Sequence, residues 1–136
     1  MDTFVWPVRV YYEDTDSGGV VYHANYLSFM ERARTEWLRS LGFEQDRLRN
    51  DEGVIFAVHS LSAEYHRPAR FNDLLQIDTR IIELRRASLS FQQTIRRDAD
   101  DQLLCSGKVK VACVDAQRMR PAPLPEALLE RIRHVD

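Results

Sequence analysis

Two aspartates stand close together in an acidic, glycine-containing loop, and they are the first residues whose types and spacing could carry chemistry. The loop covers residues 13–23 and reads EDTDSGGVVYH, with Asp14 and Asp16 two positions apart. Gly18 and Gly19 would let the backbone approach a ligand closely or adopt a positive φ. A carboxylate held there could act as a general base or as a nucleophile. The same composition is typical of a simple surface turn, which is the plainer interpretation on composition alone.

The loop leads into a long amphipathic helix, predicted over residues 25–41. The first N–H groups of a helix have no partner within it, and they carry the positive end of its dipole. Such donors could bind the oxyanion that forms during acyl transfer, beside the carboxylate of Asp16. His23 is either a polar loop residue or a group that orients the carbonyl or donates a proton. Glu31 is either solvated or the second candidate for the base, should the helix supply it.

Other kinds of site find less support in the sequence. A Gly-x-Ser-x-Gly elbow and a phosphate-loop pattern are both missing from the sequence. His59 and His66 have no cysteine or carboxylate at ligand spacing, so no metal site is predicted. Arg85 and Arg86 occupy a short turn between two predicted strands. They are either solvated or available to bind the phosphates of a ligand.

Hydrophobic periodicity predicts one strand, the long helix, and then four further strands. The helix carries apolar residues at spacings of three and four, which places them on one face: Tyr26, Phe29, Met30, Ala33, Trp37 and Leu41. The strands are predicted over residues 4–12, 54–65, 74–84, 88–96 and 103–114, and a short terminal helix over 126–133. The last four strands are expected to form a meander of antiparallel neighbours. The predicted fold is α+β, with one sheet curled around the helix, in a single domain over residues 1–136.

Composition excludes some function classes. The 136 residues are 44% hydrophobic with a net charge of −2, which predicts a packed core and argues against nucleic-acid binding. The N-terminal MDTFVWPVRV does not resemble a signal peptide, and no apolar run reaches membrane-spanning length, so a cytoplasmic protein is expected. Cys105 and Cys113 would lie about 26 Å apart along one straight strand at about 3.3 Å per residue. Two reduced thiols are therefore predicted.

The stretch VRVYYEDTDSGGVVYHANYLSFMERARTEWLRSLG closely resembles the opening of the hotdog-fold acyl-CoA thioesterases. The nearest type is the Tol-Pal-associated YbgC group, a relative of hydroxybenzoyl-CoA thioesterase. YHRPARFNDLLQIDT and the strands after it resemble the later part of the same family. The resemblance implies a long central helix wrapped by a five-stranded antiparallel sheet. It also implies homodimers or homotetramers with active sites at the dimer interface, and no cofactor.

The resemblance assigns roles to particular residues. Asp16 matches the catalytic carboxylate, and His23 matches the position whose backbone N–H contacts the thioester carbonyl. Some hotdog thioesterases use a helix carboxylate instead, which keeps Glu31 in reserve. The implied substrate-binding positions are pattern residues of the loop and helix, with two arginines matched more loosely: Tyr12, Gly19, Val20, Asn25, Tyr26, Arg85 and Arg86.

The predicted reaction is hydrolysis of an acyl-CoA with a short or small acyl group, giving a free acid and coenzyme A. An acyl carrier protein is the other carrier considered. Two alternatives stay open from the sequence. One is a hotdog dehydratase, in which Glu31 rather than Asp16 would matter. The other is a non-catalytic acyl-binding or scaffold subunit, against which the aspartate and the glycine pair argue.

Overall fold

A computed structural model describes residues 3–134. Five strands form one antiparallel sheet: β1 (Phe4–Arg9), β2 (Val54–Tyr65), β3 (Leu74–Leu84), β4 (Ser88–Arg97) and β5 (Leu103–Asp115). The helices are α1 (His23–Ser40), the short α2 (Gln45–Arg47) and α3 (Glu126–His134). The predicted class, one five-stranded antiparallel sheet packed with one long helix, is therefore confirmed.

The order of the strands across the sheet is β1-β3-β4-β5-β2. The expected meander is correct for β3, β4 and β5, but it is wrong for β2, which pairs with β5 instead of β3. The free edge of β3 is taken by β1, in a register that joins Phe4 to Thr79 and Arg9 to Leu74. The connection over residues 66–73 is longer than a tight hairpin, so β2 and β3 need not be neighbours.

The core lies between α1 and the inner face of the sheet. The helix buries Tyr26, Phe29, Met30, Ala33, Trp37 and Leu38, most of the predicted stripe. The alternate residues of β3 and β4 face this stripe and are buried: Leu75, Ile77, Thr79, Ile81, Leu89, Phe91, Gln93 and Ile95. Gly107 of β5 allows the helix and the sheet to approach closely, because an added Cβ would lie only 3.2 Å from Met30.

The ends of the elements explain how the loop is presented. The first strand ends at Arg9 and not at residue 12 as predicted, because Tyr12–Asp14 forms a 3₁₀ turn. Helix α1 begins two residues earlier than predicted, at His23. Its predicted end is confirmed, since Gly42 adopts the positive φ of +94° that often terminates a helix. Within residues 3–134, no helix is both long and apolar enough to cross a membrane.

Candidate active site

Asp14 is the buried anchor of the acidic loop. Its Oδ2 accepts a hydrogen bond from the Tyr11 N–H at 2.9 Å, and its Oδ1 accepts one from the Asn25 side chain at 3.0 Å. Its carbonyl oxygen accepts a further bond from the Tyr22 N–H at 2.8 Å. Oδ2 thus holds the start of the loop, and Oδ1 joins the loop to the first turn of α1.

Asp16 has the opposite environment, because it is exposed. Its Oδ1 accepts a hydrogen bond from the Gly18 N–H at 2.8 Å, and its carbonyl accepts one from the Gly19 N–H at 3.0 Å. Gly19 has φ +81°, a conformation that side-chain-bearing residues rarely adopt. Within the described part of the chain, Oδ2 of Asp16 has no hydrogen-bond partner. One oxygen is therefore fixed by the loop and the other is available to a substrate or a water molecule.

The N-terminus of α1 follows this loop and carries candidate oxyanion donors. The N-cap residue Tyr22 makes no side-chain hydrogen bond to the helix within the described residues. In the chain from residue 3 to residue 134, neither the His23 N–H nor the Ala24 N–H has an acceptor. Free N–H groups at the positive end of a helix are suited to bind developing negative charge.

A second set of contacts fixes this helix end from the opposite side. The Tyr65 hydroxyl donates to the His23 carbonyl at 3.0 Å, and the Ala69 N–H donates to the hydroxyl oxygen of Tyr26 at 2.9 Å. The Val21 N–H donates to the Ala69 carbonyl at 2.9 Å. Burial raises the pKa of the Tyr26 hydroxyl above that of an ordinary tyrosine. Asn25 and Tyr26 thus hold the loop in place through their side chains.

A cavity of about 330 Å³ opens along α1, between the helix and the sheet. It begins at Leu27, one turn after His23. Two charged residues, Glu31 and Arg34, belong to its wall. The other lining residues are mostly apolar and come from α1, β2, β4 and β5: Leu27, Met30, Trp37, Leu38, Phe56, Val58, Leu61, Leu89, Phe91, Val109 and Val111.

Comparison with known proteins identifies the family. The family model of the thioesterase-like superfamily matches residues 10–132. The chain belongs to the thioesterase-like superfamily. It is 49% identical over 130 residues to the acyl-CoA thioester hydrolase YbgC of Escherichia coli O6:H1, covering 96% of each chain. It is 45% identical over 132 residues to the acyl-CoA thioesterase YbgC of Haemophilus influenzae, covering 97% of this chain and 96% of that relative.

A solved structure confirms the hotdog arrangement. The 1,4-dihydroxy-2-naphthoyl-CoA thioesterase from Synechocystis superposes with a TM-score of 0.91 at 24% identity, covering 99% of this chain and 98% of that one. This likeness concerns the fold. The predicted membership of the YbgC group rests instead on the two sequence relatives.

Within this superfamily member, the structure brings most of the predicted site residues together. Asp16, Gly19 and Val20 lie in one loop, and His23 begins the helix that follows it. Tyr12 lies at the rim of the loop, where its ring stacks on Phe71 with centroids 4.0 Å apart. Both rings of this pair are exposed.

Three of the predicted residues lie elsewhere in the chain. Glu31 is exposed on α1, two turns beyond His23, and it lines the cavity. Arg85 and Arg86 follow the far end of β3, whereas the Asp16 loop contacts the segment before its near end through a bridge from Val20 to Arg70. Strand β3 has 11 residues, so about 33 Å of strand separates the two places at about 3.3 Å per residue. Arg85 also forms an ion pair with Glu83.

A buried polar network was not predicted from the sequence. Gln93 is fully buried and bonds Arg34, Thr79 and the Met30 carbonyl. The sequence does contain a sign of this network, because Thr79 and Gln93 interrupt the apolar faces of β3 and β4. Among residues 3–134, no group of three or more His, Cys, Asp or Glu side chains could hold a metal ion.

Proposed function

We propose that this protein hydrolyses acyl-CoA thioesters, with Asp16 as the general base or nucleophile. The free N–H groups of His23 and Ala24 bind the oxyanion that forms on the thioester carbonyl. Asp16 either removes a proton from the attacking water, or attacks the carbonyl and expels the coenzyme A thiolate to form a mixed anhydride that water then hydrolyses. The products are the free acid and coenzyme A.

One observation carries this proposal: an exposed carboxylate lies in the loop that leads into the N-terminus of α1. Among residues 3–134, one oxygen of this carboxylate and two N–H groups of the helix have no partner. Thioester hydrolysis needs both parts, since one activates the nucleophile and the other stabilises the charge that develops. The supporting relatives are named acyl-CoA thioester hydrolases at up to 49% identity over nearly the whole chain. The dehydratase alternative would place the chemistry on Glu31, which lies two turns away from those donors.

The working unit of the proposal is at least a homodimer joined along β2. Within residues 3–134 this strand pairs only with β5, so its other edge is open to a second copy. A register shift between Val58 and Ser60 places Val58 and Leu61 on the same face, opposite Val111 and Val109. Both side chains are about half exposed, at 50% and 45%, although they face the helix side of the sheet. An open apolar edge of this kind favours pairing with another strand.

A second copy of the chain would also give the two arginines a role in binding. Arg85 and Arg86 are too far along β3 to reach a thioester held by Asp16 of the same chain. In a dimer they would serve the coenzyme A phosphates bound at the partner's loop, where charge-assisted bonds are strong. A cytoplasmic location, the Tol-Pal association and the use of acyl carrier protein stay predictions from the resemblance.

The test is an assay of purified protein with a series of acyl-CoAs, in which free coenzyme A thiol is measured. Release of thiol that depends on Asp16 supports the hydrolase. A dehydratase would leave the thioester intact and form a double bond in the acyl chain. Binding of acyl-CoA with neither reaction would support the non-catalytic alternative and contradict the proposal.

A further inference from the structure

Arg34 is a charged side chain in an unusual position. It is half-buried in the wall of the cavity, and its Nη1 donates to the Gln93 side-chain oxygen at 2.9 Å. Among residues 3–134, no carboxylate lies within ion-pair distance of it. Burial lowers the pKa of this guanidinium, and the nearby Glu31 partly offsets that effect. A charge removed from water without an ionic partner is costly, so the position calls for an explanation.

The two half-buried arginines of β4 both have carboxylate partners, in contrast to Arg34 of α1. Arg96 forms ion pairs with Asp78 and Asp101. Arg97 forms ion pairs with Asp73 and Asp100. The sequence is therefore well able to place carboxylates against arginines in this fold. The side chain that bonds Arg34 is instead the neutral amide of Gln93.

The amide holds the guanidinium in a fixed place. Gln93 donates through its Nε2 to the Met30 carbonyl at 2.9 Å and to the Thr79 hydroxyl at 2.8 Å. Those two bonds determine which way the amide faces, so its oxygen is directed at Arg34. A guanidinium has five N–H donors, and only one bond of this one is made within the described chain. The remaining donors are available to a ligand in the cavity.

The cavity lies along the part of α1 that follows the proposed site of chemistry, and Arg34 belongs to its wall. It begins one turn after His23 and is walled mainly by apolar side chains. Arg34 lies about 16 Å further along the helix axis than His23, at about 1.5 Å per residue. Long side chains on a helix lean towards its N-terminus, which brings the guanidinium back towards the thioester. An apolar chain that enters from the thioester carbonyl would therefore meet a positive charge.

We propose that the cavity accepts acyl groups that end in a carboxylate, and that Arg34 determines this specificity. The inference rests on the proposed function, because it places the thioester carbonyl at the N-terminus of α1. The planar fork of a guanidinium matches a carboxylate in a bidentate manner, which a point charge does not. The apolar wall covers the methylene groups of the acyl chain, and the guanidinium receives its charged end.

The experiment compares matched pairs of straight-chain acyl-CoAs of equal length, one ending in a methyl group and the other in a carboxylate, over a series of lengths. The wild-type protein is expected to favour the carboxylate member by at least about tenfold in kcat/KM at its best length. Arg34→Gln keeps a polar side chain beside Gln93 and should abolish the preference, chiefly through KM. Arg34→Lys keeps the charge without the fork and should retain part of it.

The matched control is Arg32→Gln, which removes an exposed arginine of the same helix that does not line the cavity. It should keep the wild-type preference. A wild-type protein that favours the methyl member at every length would overturn the inference, and so would an Arg34→Gln variant that keeps the preference. A third outcome would also overturn the inference. If Arg34→Gln loses its dimers, and a variant with Glu31 and Arg34 exchanged forms them again, the partner of Arg34 is Glu31 of a second copy.

The two proposals can fail separately. Full activity of Asp16→Asn on both members of a pair would contradict the proposed catalytic residue, while the ratio between the members would still report on Arg34. Hydrolysis that depends on Asp16 but ignores the end of the chain would contradict the role of Arg34 alone.

Discussion

At the scale of single residues, the two aspartates of the loop divide their roles. Asp14 is buried and bonded through both oxygens, whereas Asp16 is exposed and bonded through one. Nothing in the local sequence distinguishes them, because both follow the composition of an acidic turn. The difference arises from the Asn25 side chain and the Tyr11 N–H, which the fold brings to Asp14.

Replacing Asp14 with alanine is expected to destabilise the fold. The Tyr11 N–H and the Asn25 amide would lose their acceptor, at a cost of about 1–3 kcal/mol. Urea unfolding measures the change. Asp16→Ala is the matched control, and it should cost less than about 1 kcal/mol because an exposed carboxylate is removed. Equal losses in the two variants would contradict the division of roles.

The two cysteines should make stability depend on alkaline pH. Burial raises the pKa of Cys105 and of Cys113 from 9.0 to about 11. The unfolded thiols release protons from about pH 9, whereas the folded ones hold theirs up to about pH 11. The free energy of unfolding should therefore fall across this window, by linkage.

Unfolding measured as a function of pH tests this expectation. A Cys105→Ala, Cys113→Ala variant should lose less stability between pH 9 and 11 than the wild-type protein. The comparison concerns the slope, so a lower stability of the variant at neutral pH does not affect it. Identical slopes would show that the thiols do not cause the fall. Both thiols are free, in agreement with the prediction from their spacing.

At the scale of elements, strands and helices followed closely from periodicity. The bounds predicted for β2 and β3 agree with the structure, since each has a strong apolar pattern and clear turn residues on both sides. The place of β2 in the sheet could not be predicted in the same way. Strand order depends on which edges pair, and the pairing of β1 with β3 is a contact between distant parts of the chain. The early end of β1 was also missed, because Tyr12–Asp14 forms a 3₁₀ turn with Asp14 buried.

Gly19→Ala is expected to lower both stability and turnover. An alanine at φ +81° carries a conformational cost of about 1–2 kcal/mol, although no neighbouring atom would clash with it. Relief of that strain would move the backbone that positions Asp16. The matched control is Gly53→Ala, which has φ +69° and equally open surroundings but lies outside the loop. Gly53→Ala should lose similar stability and keep the wild-type kcat. Loss of activity in both variants would argue against a special role for the loop.

At the scale of the whole molecule, the family resemblance implies homodimers or homotetramers, and the open edge of β2 is a candidate for their interface. The prediction could not specify the strand, because the strand order was unknown. The cavity was also beyond prediction, since its wall combines residues from α1 and three strands that are far apart in the chain. From the sequence, Gln93 could be recognised only as a polar residue on an otherwise apolar strand face, and its bond to Arg34 could not be predicted.

Val58→Asp is expected to convert the protein from a dimer into a monomer. The carboxylate would lie at the open edge of β2 and oppose the pairing of two copies. Sedimentation should then report a mass near 15.9 kDa for the variant and at least twice that for the wild-type protein. Ile82→Asp is the control, because Ile82 is similarly exposed at 45% but belongs to β3. A wild-type monomer at micromolar concentration would contradict the shared-edge dimer.

The identity of the catalytic carboxylate is tested most directly by comparing the turnover of Asp16→Asn and Glu31→Gln on one acyl-CoA. Both changes remove a negative charge from an exposed side chain while preserving its size. The account predicts that Asp16→Asn lowers kcat by at least about a hundredfold, as the loss of a positioned base typically does. Glu31→Gln should keep a kcat close to that of the wild-type protein. Full activity of Asp16→Asn together with an inactive Glu31→Gln would contradict the account and assign the chemistry to the helix.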